Sequence, residues 1–383
     1  MNIGILFPRS AAHPGVGISY IEGLKTFLKE EGIADQYNFI SESVGFGGSE
    51  KEVYLLAEKL LVMEAVDVLV AYIDERVLEM LKPLLYATGK LLIVVNPGAN
   101  YPINWVPQAN IIQLNLQHAF LCWLTGGLAA RGGNTNALAA TTFYDCGYLH
   151  AAAMLKSFAR YGGNIMFNDV NNGLYDDSFT ISAVTGFLSA DTATRKLLCI
   201  FDTKPAALLY KLLNKYEGAD GLSLFVSPMM LEEKALVAPD VGNRFSIEGY
   251  LPWKADMETK ANLEFVGIWH RKIKKEPDIF ALLGWETGMI LQQVLIRAEG
   301  RYADGGAIVD ELKKLELDSP RGILKLDPKT QFYQAPVGKY SIAAGQGKRE
   351  IVWIDNTAKE WEAFIQEPTE GAVSGWTNTY LCY

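Results

Sequence analysis

The sequence is notable first for what it lacks. No run of apolar residues approaches the length needed to cross a bilayer: Leu91–Val95 and Leu197–Phe201 are far short of about 20 residues. No basic stripe relieves the formal charge of −9, so the phosphate-neutralising face that nucleic-acid binding needs is missing. The four cysteines (Cys122, Cys146, Cys199 and Cys382) form no C-x-x-C pair, which argues against a zinc or redox motif and for buried thiols. The four histidines (His13, His118, His150 and His270) are far apart in sequence, without metal-ligand spacing. No G-x-S-x-G elbow, H-E-x-x-H helix or G-x-x-x-x-G-K-[ST] loop occurs, so the common sequence-local catalytic signatures are excluded. The first residues, Met1-Asn2-Ile3-Gly4-Ile5-Leu6-Phe7, have no basic region or small-residue cleavage site and read as a buried strand rather than a signal peptide.

What is present is an ordinary globular balance, 49% hydrophobic and 21% charged, over 383 residues, enough for two cores. Short apolar runs alternate with helical patterns, the sequence form of parallel sheets covered by helices. Strands are expected at 3–7, 37–42, 66–72, 91–96 and 111–116, with helices at 18–31, 49–63 and 77–88 between them. Ser49 followed by Glu52 has capping-box spacing. After a helix at 117–131 the alternation restarts: strands at 136–142, 164–169, 196–201 and 222–227, helices at 147–161, 180–190 and 204–216. From 246 the pattern changes to a strand at 246–252, helices at 256–274, 278–298 and 307–315, a turn at 319–322, strands at 323–326, 339–344 and 351–354, and an irregular end. The fold class expected is α/β, two doubly wound parallel-sheet lobes.

This order, together with Ile3-Gly4-Ile5-Leu6-Phe7, the Ser10 loop, Gly23, and the late Ser319-Pro320-Arg321-Gly322-x-x-x-x-Asp327-x-Lys329-Thr330, resembles the type I periplasmic ligand-binding proteins, in particular the branch serving branched-chain amino-acid uptake and amide sensing. The resemblance implies three crossings near 118, 250 and 330. Lobe one would then comprise residues 1–118 plus 250–330, and lobe two residues 119–249 plus 331–383, joined by a three-segment hinge. Open α/β sheets bind ligands beyond the carboxyl ends of their strands, so the loops after strands are where a cleft would carry its chemistry.

The loop after the first strand offers Arg9 and Ser10 ahead of a helix N-terminus, which attracts anions; its alternative reading is a plain Pro/Gly connection. Gly15-x-Gly17 lacks the third glycine of a dinucleotide fingerprint and lies too far from its strand. Tyr72, Asp74 and Arg76 follow the third strand, where Arg76 can hold a carboxylate or pair with Glu79, and Asp74 can equally cap a helix. The resemblance implies a backbone-donating loop at Asn96, Gly98, Ala99, Asn100 and Tyr101. In lobe two it implies an aromatic wall at Tyr144 and Tyr148 beside Asp145. Asp202 and Ser227 follow two further strands. Met229 stands where amino-acid binders of the family place a carboxylate, which speaks against a standard α-amino acid. Trp253, Phe280 and Trp285 can wall a ligand or pack the core, and Glu286 reads as a paired structural carboxylate.

The expected function is a solute-binding protein that captures a small polar, amino-acid-like or amide-like molecule for an ABC-type importer, with no catalysis, cofactor or metal. The expected partner is a membrane permease, without nucleic acid or direct membrane insertion, and the expected compartment is the periplasm. A cytoplasmic ligand sensor passing closure to a signalling protein, and an α/β enzyme, are the alternative readings.

Overall fold

The computed structural model describes all residues except 12, 46–48, 74, 103, 132–134, 143–146, 172–177, 238–240, 369–379 and 381–383, and except the side chains of 76, 147 and 148. It begins as the alternation requires: β1 (Asn2–Phe7), α1 (Val16–Glu30), β2 (Asn38–Ser43), α2 (Glu50–Glu58), β3 (Val68–Tyr72), α3 (Glu75–Thr88), β4 (Leu91–Asn96) and β5 (Ile111–Asn115). These strands form a 5-stranded parallel sheet in the order β2-β1-β3-β4-β5. Every residue of β3, β4 and β5 is buried, which is why they read as continuous apolar runs rather than alternating ones.

A second series follows: α4 (His118–Ala130), β6 (Asn136–Thr142), α5 (Gly147–Arg160), β7 (Asn164–Asn171), α6 (Ser182–Ala190), β8 (Lys196–Ile200), α7 (Thr203–Lys215), β9 (Ser223–Val226) and β10 (Ser246–Leu251). Then come α8 (Lys260–Ile273), α9 (Ile279–Ala298), α10 (Gly305–Leu312), β11 (Glu316–Ser319), β12 (Gly322–Leu326), β13 (Tyr333–Gln334), β14 (Val337–Ile342), β15 (Arg349–Ile354) and α11 (Ala358–Ile365). The second sheet has 7 strands in the order β15-β14-β10-β9-β8-β6-β7. It is parallel from β7 to β10, with β14 and β15 added antiparallel. A 3-stranded antiparallel sheet, β11-β12-β13, lies between the returns of the chain.

Three differences from the sequence reading have local causes. The helix expected over 49–63 ends at Glu58 and continues as a π-turn over Lys59–Met63, in which Glu64 N–H reaches Lys59 O at 3.0 Å. This wider turn puts the adjacent Leu60 and Leu61 both inside. Its start is as expected, since Ser49 Oγ accepts from Glu52 N–H at 3.3 Å. Residues 316–318, left unassigned between a helix and a turn, form β11 together with Ser319, and its alternating burial pairs it with β12 across a two-residue turn. The end expected to be irregular contains α11, which buries Trp361 and Phe364 three positions apart.

The helix α9 is long and apolar enough to cross a membrane, but 78% of its apolar window is buried, and it packs along α1. The packing depends on two small residues. A Cβ on Gly284 would lie 2.0 Å from Tyr20 O, and one on Gly23 would lie 2.2 Å from Ala281 O. The two backbones thus touch, which explains a glycine in the middle of each helix.

The late motif is structural. Arg321, 1% exposed, donates from Nε to Glu286 Oε1 of α9 at 2.8 Å and from Nη1 to Asn115 O at the end of β5 at 3.0 Å. Ser319 Oγ donates to the same Glu286 oxygen. Asp327 Oδ2 accepts from Thr330 N–H at 3.1 Å and from Trp361 Nε1 of α11 at 3.3 Å. Gln117 Nε2 donates to Tyr333 O at 3.2 Å, and Gln113 N–H to Gln331 O at 2.9 Å, so the stretches near 117 and 331 run side by side.

Three stability outcomes are expected, each read by equilibrium denaturation. Gly284→Ala is expected to destabilise by about 1–3 kcal/mol through overpacking, whereas Gly186→Ala in α6, whose Cβ would meet nothing within 4 Å, is expected to stabilise by about 0.5–1 kcal/mol. Arg321→Met is expected to cost about 3–5 kcal/mol, because Glu286 would remain buried without its counter-charge; a loss under 1 kcal/mol would contradict this assignment.

Candidate functional site

Parallel strands place their following loops at one edge of each sheet, and here the edges of the two sheets meet. The loop after β1 carries Ser10, 7% exposed, and His13. Ser10 Oγ accepts from His13 N–H at 3.0 Å, a local turn that fixes the imidazole. His13 Nε2 then reaches Asp202 Oδ2 at 2.7 Å, beyond the end of β8. Asp202, 3% exposed, is also the N-cap of α7, its Oδ1 accepting from Thr203 N–H at 2.6 Å. A single carboxylate therefore starts a helix under the second sheet and holds a residue from the first.

Tyr380 lies in the same place, 2% exposed. Its carbonyl accepts from Ser10 Oγ at 2.7 Å, and its hydroxyl donates to Glu232 Oε1, in the loop after β9. Its ring meets those of His13 at 5.1 Å, Phe280 of α9 at 5.3 Å and His118 of α4 at 5.8 Å.

The electrostatics favour protons. Burial alone would lower the His13 pKa, but the hydrogen bond and charge of Asp202, with the charge of Glu232, outweigh it and hold His13 above its ordinary value. Burial pushes Glu232 up to about 7, with neighbouring Asp202 adding to the rise and the Tyr380 hydroxyl opposing it. Burial, then the charges of His150 and Arg321, push His118 well down, so that imidazole is neutral. The Tyr72 hydroxyl at the end of β3 and the Ser227 hydroxyl after β9 are buried with no hydrogen-bond partner among the described residues.

The residues singled out in the sequence fall into distinct groups. Ser10 and Asp202 share the meeting of the edges. Arg9 is exposed, and its backbone N–H donates to Gly45 O at 2.7 Å. Asn96 bridges Ile73 O and Gly98 N–H, both at 2.7 Å, and so shapes the loop after β4. Gly98, at φ +71°, makes room for the chain itself: a Cβ there would lie 2.7 Å from Gln117 N. The carbonyls of Pro97 and Gly98 accept from the first N–H groups of α4, so this loop caps a helix. Ala99 is buried, Asn100 half-buried, and Tyr101 packs on Trp105 and Phe364. Met229 is fully buried in the apolar core. Trp253 donates to Asn262 Oδ1 at 2.8 Å beside Phe265, and Trp285 lies between Phe27 and Phe265. Both tryptophans are thus core residues, while Phe280 is the aromatic brought to the edge. Asp74, Tyr144, Asp145 and Cys146 lie outside the described residues, as do the side chains of Arg76 and Tyr148. Glu79 pairs with Lys82 at 2.5 Å. Cys122 and Cys199 are buried free thiols.

The sequence reading missed His13, His118, Glu232 and Tyr380. The histidines, far apart in sequence, are gathered by the fold, which sets His118 and His150 at 5.7 Å and brings both His13 and His118 against Tyr380. Three residues after Met229, Glu232 accepts from the Tyr380 hydroxyl. Among the described residues, no group of three or more His, Cys, Asp or Glu side chains is placed to hold a metal ion.

A sequence model described as periplasmic binding protein matches residues 1–346. No curated protein sequence matches the chain. Among solved structures it is similar to an ABC-transporter solute-binding protein from R. palustris in complex with benzoate (18% identity, TM-score 0.73, covering 93% of this chain and 98% of that one). It is also similar to an ABC-transporter substrate-binding protein from Sphaerobacter thermophilus (16%, 0.75, 93% and 97%). A third is a branched-chain amino-acid transporter substrate-binding protein from Streptococcus pneumoniae in complex with isoleucine (14%, 0.65, 92% and 99%).

The site's protonation can be tested directly. Groups whose values rise on folding, His13 from 6.5 and Glu232 from 4.5, contribute stability that is present below those values and lost as pH climbs through about 7 and through the raised His13 value. Thermal stability is expected to fall across that window, and NMR titration should show His13 titrating lower in Asp202→Asn than in the wild type; identical titrations would remove Asp202 as the cause.

Proposed function

This chain belongs to the periplasmic binding protein family, and from that membership we propose that it captures a small polar molecule between its two sheets and presents it to an ABC-type membrane permease. The observation that carries this reading is the direct meeting of strand-end polar groups from opposite sheets, His13 with Asp202 at 2.7 Å. Parallel sheets concentrate such groups at their carboxyl edges, and two facing edges make a gap that a ligand can bridge from both sides.

The two large sheets support a division into two lobes. Lobe one takes residues 1–118 plus 250–330, containing β1–β5 and the helix α9 that packs on α1. Lobe two takes residues 119–249 plus 331–383, containing β6–β9, β14 and β15, while β10 ends at the boundary. The crossings near 118, 250 and 330 form the hinge, and closure about it would be favoured by whatever the ligand contacts only in the joined state. The family's solute-binding role supports a binding protein over an enzyme, and a periplasmic location.

The ligand class includes amino-acid-like and amide-like solutes, and aromatic acids as well. The last extension is supported by the benzoate complex of one structural relative and by the rings of His13, His118 and Phe280 around the site. Candidate hydrogen-bonding groups for a ligand are Ser10, Tyr72, Asp202, Ser227 and Glu232; Tyr148 is a candidate from its place in the sequence alone.

A thermal-shift panel of amino acids, amides and aromatic carboxylates is expected to yield a stabilising ligand. A micromolar dissociation constant corresponds to about 8 kcal/mol. Asp202→Ala and Tyr148→Ala should each weaken that ligand at least about tenfold while leaving the far-ultraviolet circular dichroism spectrum unchanged; wild-type affinity in both would place the ligand elsewhere.

A further inference from the structure

Tyr380 differs from every other residue at the meeting of the sheet edges. Nearly 150 positions of chain separate it from Glu232, the residue its hydroxyl meets. Its backbone sits at φ +69°, a left-handed conformation that is uncommon for a bulky side chain and persists only when its surroundings impose it. What imposes it is contact at both ends and around the ring. Ser10 Oγ holds the carbonyl at 2.7 Å, Glu232 accepts from the phenol, and His13 and Phe280 approach edge-on at 84° and 86°. These holding groups come from both sheets' strand ends and from the helix N-termini beside them, which is where a ligand would be held.

We propose that Tyr380 is a tethered occupant of the ligand cleft, and that the subsite it fills takes a free 4-hydroxyaryl alkanoic acid. This proposal rests on the cleft reading above. The ligand class follows from the atoms engaged: a ring between aromatic edges, a hydroxyl donor opposite Glu232, and an oxygen acceptor at Ser10. In Tyr380 the acceptor is reached from the ring through two carbons. The free acid with the same spacing is 3-(4-hydroxyphenyl)propanoate, whose carboxylate would accept from Ser10. Covalent attachment gives Tyr380 a high local concentration, so a free ligand binds only in proportion to the fraction of molecules from which the side chain has withdrawn. The cleft thereby selects for ligands that outcompete its own tyrosine.

The test uses the full chain and isothermal titration with 3-(4-hydroxyphenyl)propanoate, and with 3-phenylpropanoate, which lacks the hydroxyl. Tyr380→Ala is expected to bind the hydroxylated acid at least about tenfold more tightly than the wild type. That variant should prefer it over 3-phenylpropanoate, and the preference should disappear when Glu232→Ala is added. Because Tyr380→Ala can also loosen the fold, 3-fluorotyrosine placed at position 380 supplies a second reading: its fluorine resonance should move to the solvent-exposed position as the acid saturates the protein. Equal affinity in wild type and Tyr380→Ala, no binding to the variant, or an unmoved fluorine resonance at saturation would each overturn the proposal. A solute from the wider panel that binds both proteins equally, and is lost in Asp202→Ala, would overturn the tethered tyrosine while leaving the cleft standing; failure of the entire panel with both proteins would overturn both.

Discussion

The buried ion pair between Arg321 and Glu286 is the constraint on which the arrangement of the chain turns. Both side chains are almost completely withdrawn from solvent, at 2% and 0% exposure. Neither charge is tolerable alone in that setting, so α9, the turn between β11 and β12, and the end of β5 are brought to one point. The chain leaves the first sheet immediately after β5. The charge pair therefore fixes the departure point of one crossing relative to the helix that covers the first sheet.

From there the geometry of parallel strands does the rest. Each strand ends at the same edge of its sheet, and each following loop delivers polar groups to that edge. On the first sheet these are Ser10 and His13; on the second, Asp202 and Glu232. Their meeting concentrates two carboxyl groups and an imidazole in a partly desolvated space: burial raises the proton affinity of Glu232, and the hydrogen bond and charge of Asp202 raise that of His13 against burial. The same space is lined by rings. A site of this composition suits a ligand with an aromatic or apolar body and polar ends, and Tyr380 has that form.

The legible parts of the fold were those governed by local rules. The apolar runs of β3, β4 and β5 announced strands covered on both faces, and Ser49 with Glu52 announced the start of α2. Gly23 stood out in the first helix, although its reason, backbone contact with Ala281, belongs to a helix more than 250 residues away. The short α11 escaped notice because two buried aromatics in eight residues give little periodicity. The site was legible only in part: Ser10 and Asp202 follow strands and could be named from that position alone. Trp253 and Trp285 could not be sorted into core or cleft, because a large ring serves either place and only its neighbours decide.

The sequence by itself determined the alternation of strands and helices, the edges at which loops gather, and the family to which the chain is similar, because each of these depends on patterns a few residues long. Only the tertiary structure decided that Asp202 meets His13, that Glu232 accepts from Tyr380, and that Tyr380 lies among them. Those pairings join residues separated by up to 370 positions, and no local pattern specifies which distant groups will share a buried space.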